Sequence, residues 1–159
     1  MGWLRGHDEP APAGDSAAGA SASTAWHAKV RSAADLMERG DPEAAIQRFY
    51  ETLSDEMTDL DRSLICRNIG VVYGSVASVD DALTWYDHAA SYEASYEGKG
   101  RGTQALECKA AYLHGLGRSH EALALYRQLL DQHRTAADAD TADTDATARL
   151  RHNISVLGG

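Results

Sequence analysis

The chain has 159 residues, which is the length of one ordinary domain with a hydrophobic core. A hydrophobic content of 43% beside 25% charged residues is typical of a globular protein and excludes a wholly disordered one. The net charge is −9, and the sequence shows no basic surface of the kind that neutralises phosphates. We therefore expect the protein to bind neither nucleic acid nor an anionic membrane.

The composition also favours helices. The sequence has only three prolines, two of them in the first dozen residues, and few clusters of β-branched residues. Because proline breaks helices and β-branched residues favour strands, we predict an all-α protein. Cys66 and Cys108 fit no paired spacing for a metal or a redox site, so we expect two reduced thiols. No apolar signal region or membrane-spanning run is visible, and the expected location is the cytoplasm.

In chain order, the first segment is residues 1–24, rich in Ala, Gly, Ser and Pro. It has few side chains to bury, and we predict a flexible tail. From Ala25 the spacing of apolar residues becomes helical. The first helix is predicted to end at Gly40, since glycine favours the left-handed backbone that closes a helix. Asp41 then caps the next helix and Pro42 opens it, where a missing backbone N–H costs nothing.

The same succession of a helix end and a helix start recurs twice. Ser78 and Asp81 have the spacing of a capping box, in which each side chain accepts a hydrogen bond from the other residue's backbone. Gly117 followed by Ser119 marks the third turn. Residues 25–134 are therefore predicted to form three consecutive helical hairpins.

An internal repeat supports this organisation. The stretches 33–49, 70–86 and 110–126 align without gaps and share a pattern of small, large, small and aromatic residues. Two helices approach closely only where side chains are small, so the small positions should form the contact and the large ones should fill the space beside it. The pattern comprises Ala33, Leu36, Ala45 and Phe49, then Gly70, Tyr73, Ala82 and Tyr86, then Ala110, Leu113, Ala122 and Tyr126.

The stretches NIGVVYGSVASVDDALTWYDHAA (68–90) and CKAAYLHGLGRSHEALALYRQLL (108–130) resemble tetratricopeptide repeats (TPR), and a weaker copy precedes them. The spacings of 37 from Ala45 to Ala82 and 40 from Ala82 to Ala122 exceed the usual TPR period of about 34, with the extra residues in the loops between repeats. The resemblance implies a TPR-like α-solenoid of three helical hairpins plus a terminal helix. It also implies an adaptor or scaffold that binds a protein or peptide partner.

In the TPR family, the first helix of each hairpin lines a concave groove that receives a peptide or a helix. Asn68 matches a family asparagine that hydrogen-bonds the backbone of bound peptides, and it is the best single candidate. The resemblance thus implies a peptide-binding groove that includes Arg31, Met37, Arg67, Asn68, Val71, Glu107, Ala111 and His114.

Some TPR co-chaperones hold a C-terminal carboxylate with lysine, arginine and asparagine side chains. Of the matching positions in this sequence only Asn68 keeps a suitable residue, so we disfavour a carboxylate clamp. The matching positions are Val30, Ala34, Asn68, Gln104 and Cys108.

Two interpretations of Arg31 and Arg67, the arginines of the implied groove, remain open. Arg31 and Arg67 would attract an acidic segment of a partner if they are free. They would contribute little to recognition if they pair with nearby acidic residues such as Asp35 or Glu107.

No motif for catalysis or metal binding stands out. GKGRG (98–102) lacks the spacing of a phosphate-binding loop and follows a helix, so we interpret it as a linker between repeats. The seven histidines show no ligand spacing, and no nucleophile–base pair is readable. We expect neither an enzyme nor a cofactor. Two alternatives to the adaptor are a regulatory module with a ligand pocket between repeats, and a homo-oligomer that associates through an end of the solenoid.

The C-terminal part begins with an acidic Ala/Asp-rich linker, residues 135–145. Residues 146–159 then have helical spacing, and Asn153 aligns with Asn68. We predict a first helix without a second one, which caps the third hairpin. Removing residues 148–159 should therefore uncover the flank formed by Leu123, Tyr126 and Leu130.

Overall fold

The computed structural model describes residues 16–53, 56–96, 103–136 and 145–158. These residues form seven α-helices and no strand, which confirms the predicted all-α class. None of these helices is both long and apolar enough to cross a membrane. The helices are α1 (Ser16–Glu38), α2 (Pro42–Leu53), α3 (Asp59–Ser75), α4 (Val79–Ser95), α5 (Thr103–Gly115), α6 (Ser119–Ala136) and α7 (Asp145–Leu157).

Each helix packs against the next one in the chain, and α3 also contacts α5. The pairs α1–α2, α3–α4 and α5–α6 are helical hairpins with short turns, which we call hairpins one, two and three. The contact between α3 and α5 brings the first helices of two successive hairpins together. Because sequence neighbours are also spatial neighbours, the core is built one hairpin at a time.

The three hairpin turns share one backbone conformation. A left-handed residue lies at the same place in each turn: Gly40 with φ 78°, Ala77 with φ 60° and Gly117 with φ 75°. The spacings between them, 37 and 40, equal those of the buried alanines that follow each turn. The turns at Gly40 and Gly117 are therefore as predicted, and the turn between them adopts the same conformation without a glycine.

The hydrogen bonds of the turns also repeat. In each turn the left-handed residue donates its N–H to a carbonyl three residues back, and the next residue donates to one five residues back. This Schellman pattern satisfies carbonyls that a helix end would otherwise leave unpaired. The longer bonds join Asp41 to Leu36, Ser78 to Tyr73 and Arg118 to Leu113, with N···O distances of 2.9, 3.0 and 2.9 Å.

The small positions of the repeat are buried contacts, as predicted. The alanines Ala33, Ala45, Ala82, Ala110 and Ala122 are each 0% exposed. The aromatic residues that follow them are also buried: Phe49, Tyr86 and Tyr126. At Gly70 the two helices of hairpin two are in close contact, because an added Cβ would lie 3.0 Å from a ring carbon of Tyr86 and 3.2 Å from the carbonyl oxygen of Ala82.

The buried residues form successive clusters along the chain. Trp26, Phe49 and Ile65 belong to the first cluster, which joins α1, α2 and α3. A small cluster of Cys66, Ala89 and Ala105 connects α3, α4 and α5. The last cluster joins α5, α6 and α7 and contains Leu113, Tyr126, Leu129 and Leu150. Leu150 is 0% exposed in this cluster, so α7 packs against hairpin three.

The capping box lies elsewhere than predicted. Ser78 makes no side-chain hydrogen bond to the backbone of α4, since its hydroxyl donates to the Asp81 carboxylate at 2.6 Å. A complete capping box starts α3 instead: Asp61 N–H donates to Thr58 Oγ1 at 3.2 Å, and Thr58 N–H donates to Asp61 Oδ2 at 3.3 Å. The short side chain of Asp61 completes the box in the place of the usual Glu or Gln.

The first helix also starts earlier than the sequence pattern indicates. Helix α1 begins at Ser16, whereas helical spacing was expected only from Ala25. Residues 16–24 lack an apolar stripe, which is the signal that the prediction used. Alanine has the highest helix propensity, and this segment is rich in alanine, which favours a helix in the absence of an apolar pattern.

Candidate functional site

The candidate surface lies on the first helices of the hairpins, α1, α3 and α5, and continues onto α7. Residues 65, 105 and 150 are each 0% exposed in α3, α5 and α7, which fixes the register of these three helices. This register, extended to α1 by the alignment of Ala33 with Gly70, gives two rows of side chains with one residue on each of the four helices. We call Ala34, Val71, Ala111 and Val156 the apolar row, and Arg31, Asn68, Cys108 and Asn153 the polar row.

Every member of the apolar row is exposed. Val71 is 53% exposed and Val156 is 58% exposed, the two highest values among the large hydrophobic residues that the structure describes. Apolar side chains are normal on surfaces when they are scattered. Here they recur at one register position of four alternate helices, α1, α3, α5 and α7, so the row is a feature of the repeat.

The polar row lies beside the apolar row. Asn68 and Asn153 are half-buried, and neither side chain makes a hydrogen bond with any residue that the structure describes. Each amide offers two N–H donors and a carbonyl acceptor. Cys108 is a half-buried free thiol between them, and Arg31 is exposed and forms no ion pair within the described residues. The predicted residue Asn68 thus has its hydrogen-bonding capacity open.

Arg67, by contrast, forms an ion pair within the protein. Its side chain is 21% exposed, and its Nε lies 3.8 Å from a carboxylate oxygen of Glu93. Glu93 lies on α4 and is 4% exposed. Arg67 therefore pairs with an acid of its own hairpin, and the acid is neither Asp35 nor Glu107. Of the two groove arginines, Arg31 is the one whose charge is open to a partner.

Glu93 is the centre of a buried hydrogen-bond network. One carboxylate oxygen accepts the Ser63 hydroxyl at 2.8 Å. The other accepts the backbone N–H groups of Gln104 and Ala105, at 3.0 and 3.2 Å, in the first turn of α5. The first N–H groups of a helix lack partners within the helix and attract negative charge. Glu93 therefore fastens hairpin three to hairpin two through the start of α5.

The sequence analysis did not identify this role of Glu93. A signal was nevertheless present. Ala82, Tyr86, Ala89 and Glu93 follow one another at helical spacing, so the carboxylate continues the buried stripe of α4. An acidic residue on a buried stripe needs a partner, and that partner is the end of another helix.

A second contact between hairpins involves Gly74 and Tyr112. A Cβ added at Gly74 would lie 2.8 Å from a ring carbon of Tyr112, so a side chain at residue 74 would require the Tyr112 ring to move. The Tyr112 ring also contacts Tyr86 with a centroid distance of 5.9 Å. The predicted residues Met37 on α1 and His114 on α5 occupy the position in their helices that Gly74 occupies in α3. Met37 is half-buried and His114 is exposed.

Glu107 links the third hairpin to α7. Its carboxylate lies 3.5 Å from an Nη atom of Arg149. The Arg149 side chain is 60% exposed, so the ion pair holds the guanidinium without covering it. Glu107 therefore does not add a free negative charge to the surface. Ala111, the remaining predicted residue, is a member of the exposed apolar row.

The charges are unequally divided between the two sets of helices. Helices α1, α3, α5 and α7 together carry seven Lys or Arg against six Asp or Glu. Helices α2, α4 and α6 carry three against eight, and α4 has no Lys or Arg. The acidic charge of the described helices thus lies mainly on the second helices, and the first helices are close to neutral with a small positive excess.

No arrangement for metal binding is present among the residues that the structure describes, where three His, Cys, Asp or Glu side chains never converge. A cleft of about 270 Å³ lies between α6 and α7. Its volume is just below the range of about 300–1,000 Å³ that is usual for small-molecule pockets. The cleft is lined by Ser119, His120, Leu123, Arg127, Leu157 and Gly158.

Comparison with models of known protein families finds no match to this chain, and comparison with curated proteins finds no similar sequence.

Proposed function

We propose that the chain is a TPR-like α-solenoid and that the surface of its first helices binds an extended peptide segment of a partner protein. Three features support a repeat architecture: the shared turn conformation, the equivalent buried alanines and the sequential packing of the hairpins. The protein would then act as an adaptor or scaffold without a cofactor, and the proposed location is the cytoplasm.

The exposed apolar row is the observation that carries this proposal. Exposing Val71 and Val156 to water is unfavourable, and covering either side chain with a peptide would stabilise a complex by about 1 kcal/mol. The row is narrow and flanked by polar side chains. A narrow apolar strip with amides beside it suits a single extended chain better than a broad protein surface.

The asparagines explain how a peptide without a fixed sequence would be held. The backbone of an extended peptide presents an N–H and a C=O at each residue, and a side-chain amide can pair with both. Asn68 is half-buried, and its amide groups are unpaired by described residues. Because this side chain is partly buried on a helix, it loses little conformational entropy on binding. Backbone pairing provides affinity, and the apolar row selects small apolar side chains.

The two alternatives have less support. A ligand-sensing module requires an enclosed pocket with convergent polar groups, and the cleft between α6 and α7 lies at the end of hairpin three and not between repeats. Self-association through a solenoid end requires an apolar end surface. On α7, the exposed residues Arg151 and Ser155 have the register of the buried Cys66 and Gly70, which makes that end polar.

A display library of random peptides about twelve residues long, panned against the full chain, tests the proposal. We expect enriched peptides whose affinity, measured by fluorescence anisotropy, falls by about tenfold in Asn68→Ala and by more in Val71→Asp. Val76→Asp is the matched control, because Val76 is 47% exposed but lies in the hairpin turn.

Two results would contradict the proposal. One is a library that yields no enriched peptide. The other is a set of peptides whose affinity for Asn68→Ala and Val71→Asp equals that for the wild type. A bound peptide should also slow the reaction of the Cys108 thiol with a soluble disulfide reagent, because this residue lies in the polar row.

A further inference from the structure

Helix α7 has two exposed faces of different chemistry. On one face, Arg151 and Ser155 occupy the register of Cys66 and Gly70, which are buried between α3 and α4. Both α7 residues are exposed and polar. This substitution is what a capping helix requires, since a polar outer face keeps the end of a repeat array soluble.

The other exposed face of α7 keeps the chemistry of the candidate surface. Asn153 has the register of Asn68, and Val156 has the register of Val71. Val156 is 58% exposed, so packing against the rest of the protein does not explain a valine at this position. A helix that served only as a cap would be expected to carry polar residues on this face as well. The polar and apolar rows therefore continue onto α7.

Helix α7 carries one more Arg or Lys than Asp or Glu. Of its two arginines, Arg149 is the one that contacts α5, where its side chain is 60% exposed beside the Glu107 carboxylate. The acidic residue of α7, Asp145, lies at the opposite end of the helix from Asn153 and Val156. On α1, by contrast, Arg31 is accompanied by the exposed acids Asp35 and Glu38. An acidic peptide segment is therefore attracted to the α7 end more than to the α1 end.

We propose that α7 is the fourth wall of the peptide groove, and that it binds the acidic end of an extended partner segment through Asn153, Val156 and Arg149. This inference rests on the proposed function and adds the extent, direction and charge of the ligand to it. Asn153 pairs with the peptide backbone, Val156 contacts an apolar side chain, and Arg149 pairs with an aspartate or glutamate.

The test uses peptides enriched on the full-length chain, labelled with fluorescein and measured by anisotropy at low and high salt. We expect the enriched sequences to carry Asp or Glu at one end. Asn153→Ala and Val156→Asp should weaken binding about tenfold each, and Arg149→Glu should weaken it and reduce its salt dependence. The controls Ser155→Asp and Arg151→Glu, on the outer face of the same helix, should change the affinity by less than about twofold.

The outcomes separate this inference from the proposed function. If Asn68→Ala and Val71→Asp weaken binding while the three α7 variants do not, the groove ends at α5 and the inference is wrong, although the proposed function stands. If neither set of variants matters, both fail. Binding that depends equally on Arg151 and Arg149 would show a non-specific charge effect and would also overturn the inference. Thermal unfolding followed by circular dichroism verifies that each variant is folded.

Discussion

Ala77 carries the most unusual backbone in the described part of the chain. It has a φ of 60°, where the equivalent turns use Gly40 and Gly117. A residue with a Cβ pays about 1 kcal/mol for the left-handed conformation. The two equivalent glycines have open space around them, since nothing lies within 4 Å of an added Cβ. The cost of a side chain in this turn is therefore a backbone cost and not a steric one.

We predict that Ala77→Gly raises the free energy of unfolding by about 0.5–1 kcal/mol, because the relief of left-handed strain exceeds the entropy that a glycine adds to the unfolded chain. Gly40→Ala and Gly117→Ala should each lower it by about 1 kcal/mol. Urea unfolding followed by circular dichroism measures all three. A lower stability for Ala77→Gly would show that the turn does not impose this conformation.

Cys66 gives the protein a pH dependence at alkaline pH. Burial raises the pKa of its thiol from 9.0 to about 11, although the nearby Arg62 opposes the shift. The folded protein therefore keeps the thiol protonated in a range where the unfolded chain loses the proton. Since the unfolded state binds fewer protons in this range, stability should fall as the pH rises from about 9 to about 11.

Urea unfolding at a series of pH values from 8 to about 10.5 tests this expectation. In Cys66→Ala the decline between pH 9 and 10 should be shallower, because one of its causes has been removed. Burial also raises the pKa of Tyr86 to about 12, so some decline should remain above pH 10. An identical pH profile for the variant and the wild type would mean that Cys66 does not contribute.

At the scale of elements, the junction between hairpins two and three depends on Glu93. Its carboxylate accepts two backbone N–H groups of α5 and the hydroxyl of Ser63. We predict that Glu93→Ala lowers the free energy of unfolding by about 3 kcal/mol, because it leaves the start of α5 unpaired and Arg67 without its counter-charge. Ser63→Ala removes one donor and should cost about 1 kcal/mol.

Hydrogen exchange measured by mass spectrometry locates the effect. In Glu93→Ala, protection should decrease first in peptides that cover the beginning of α5, and hairpin one should keep its protection. Glu93→Gln is the conservative variant, since its amide oxygen can still accept from α5, and it should be less destabilised than Glu93→Ala. Uniform loss of protection across the chain would indicate that the junction is not a local one.

The elements also show how far a helix pattern can be read from sequence. The turns at Gly40 and Gly117 were predictable because glycine favours one backbone conformation. The left-handed conformation of Ala77 and the capping box of Thr58 and Asp61 were not, since alanine and aspartate are common in many settings. The early start of α1 at Ser16 was missed for a related reason, because residues 16–24 have no periodic apolar pattern in their sequence.

At the scale of the whole molecule, the exposed apolar row and the uneven charge point to the same surface. The second helices carry most of the negative charge of the described helices, while the first helices are nearly neutral. An acidic segment of a partner is thus repelled from one side and accepted on the other. The proposed groove combines this long-range preference with the short-range contacts of Asn68 and Val71.

The sequence by itself determined the all-α class, the three hairpins and the buried small residues such as Ala45 and Ala82. These features depend on local propensity and on a period of about 3.6 residues, both of which can be read along a single chain. It also singled out Asn68 and Val71, which the structure leaves open on one surface.

Only the tertiary structure decided which polar groups are used in packing. It showed that Arg67 pairs with Glu93, that Glu107 pairs with Arg149, and that Val156 is open beside Asn153. The physical reason is that pairing and exposure depend on which helix faces which. Residues such as Glu93 and Gln104 meet only after the hairpins have stacked, and no spacing along the chain encodes that contact.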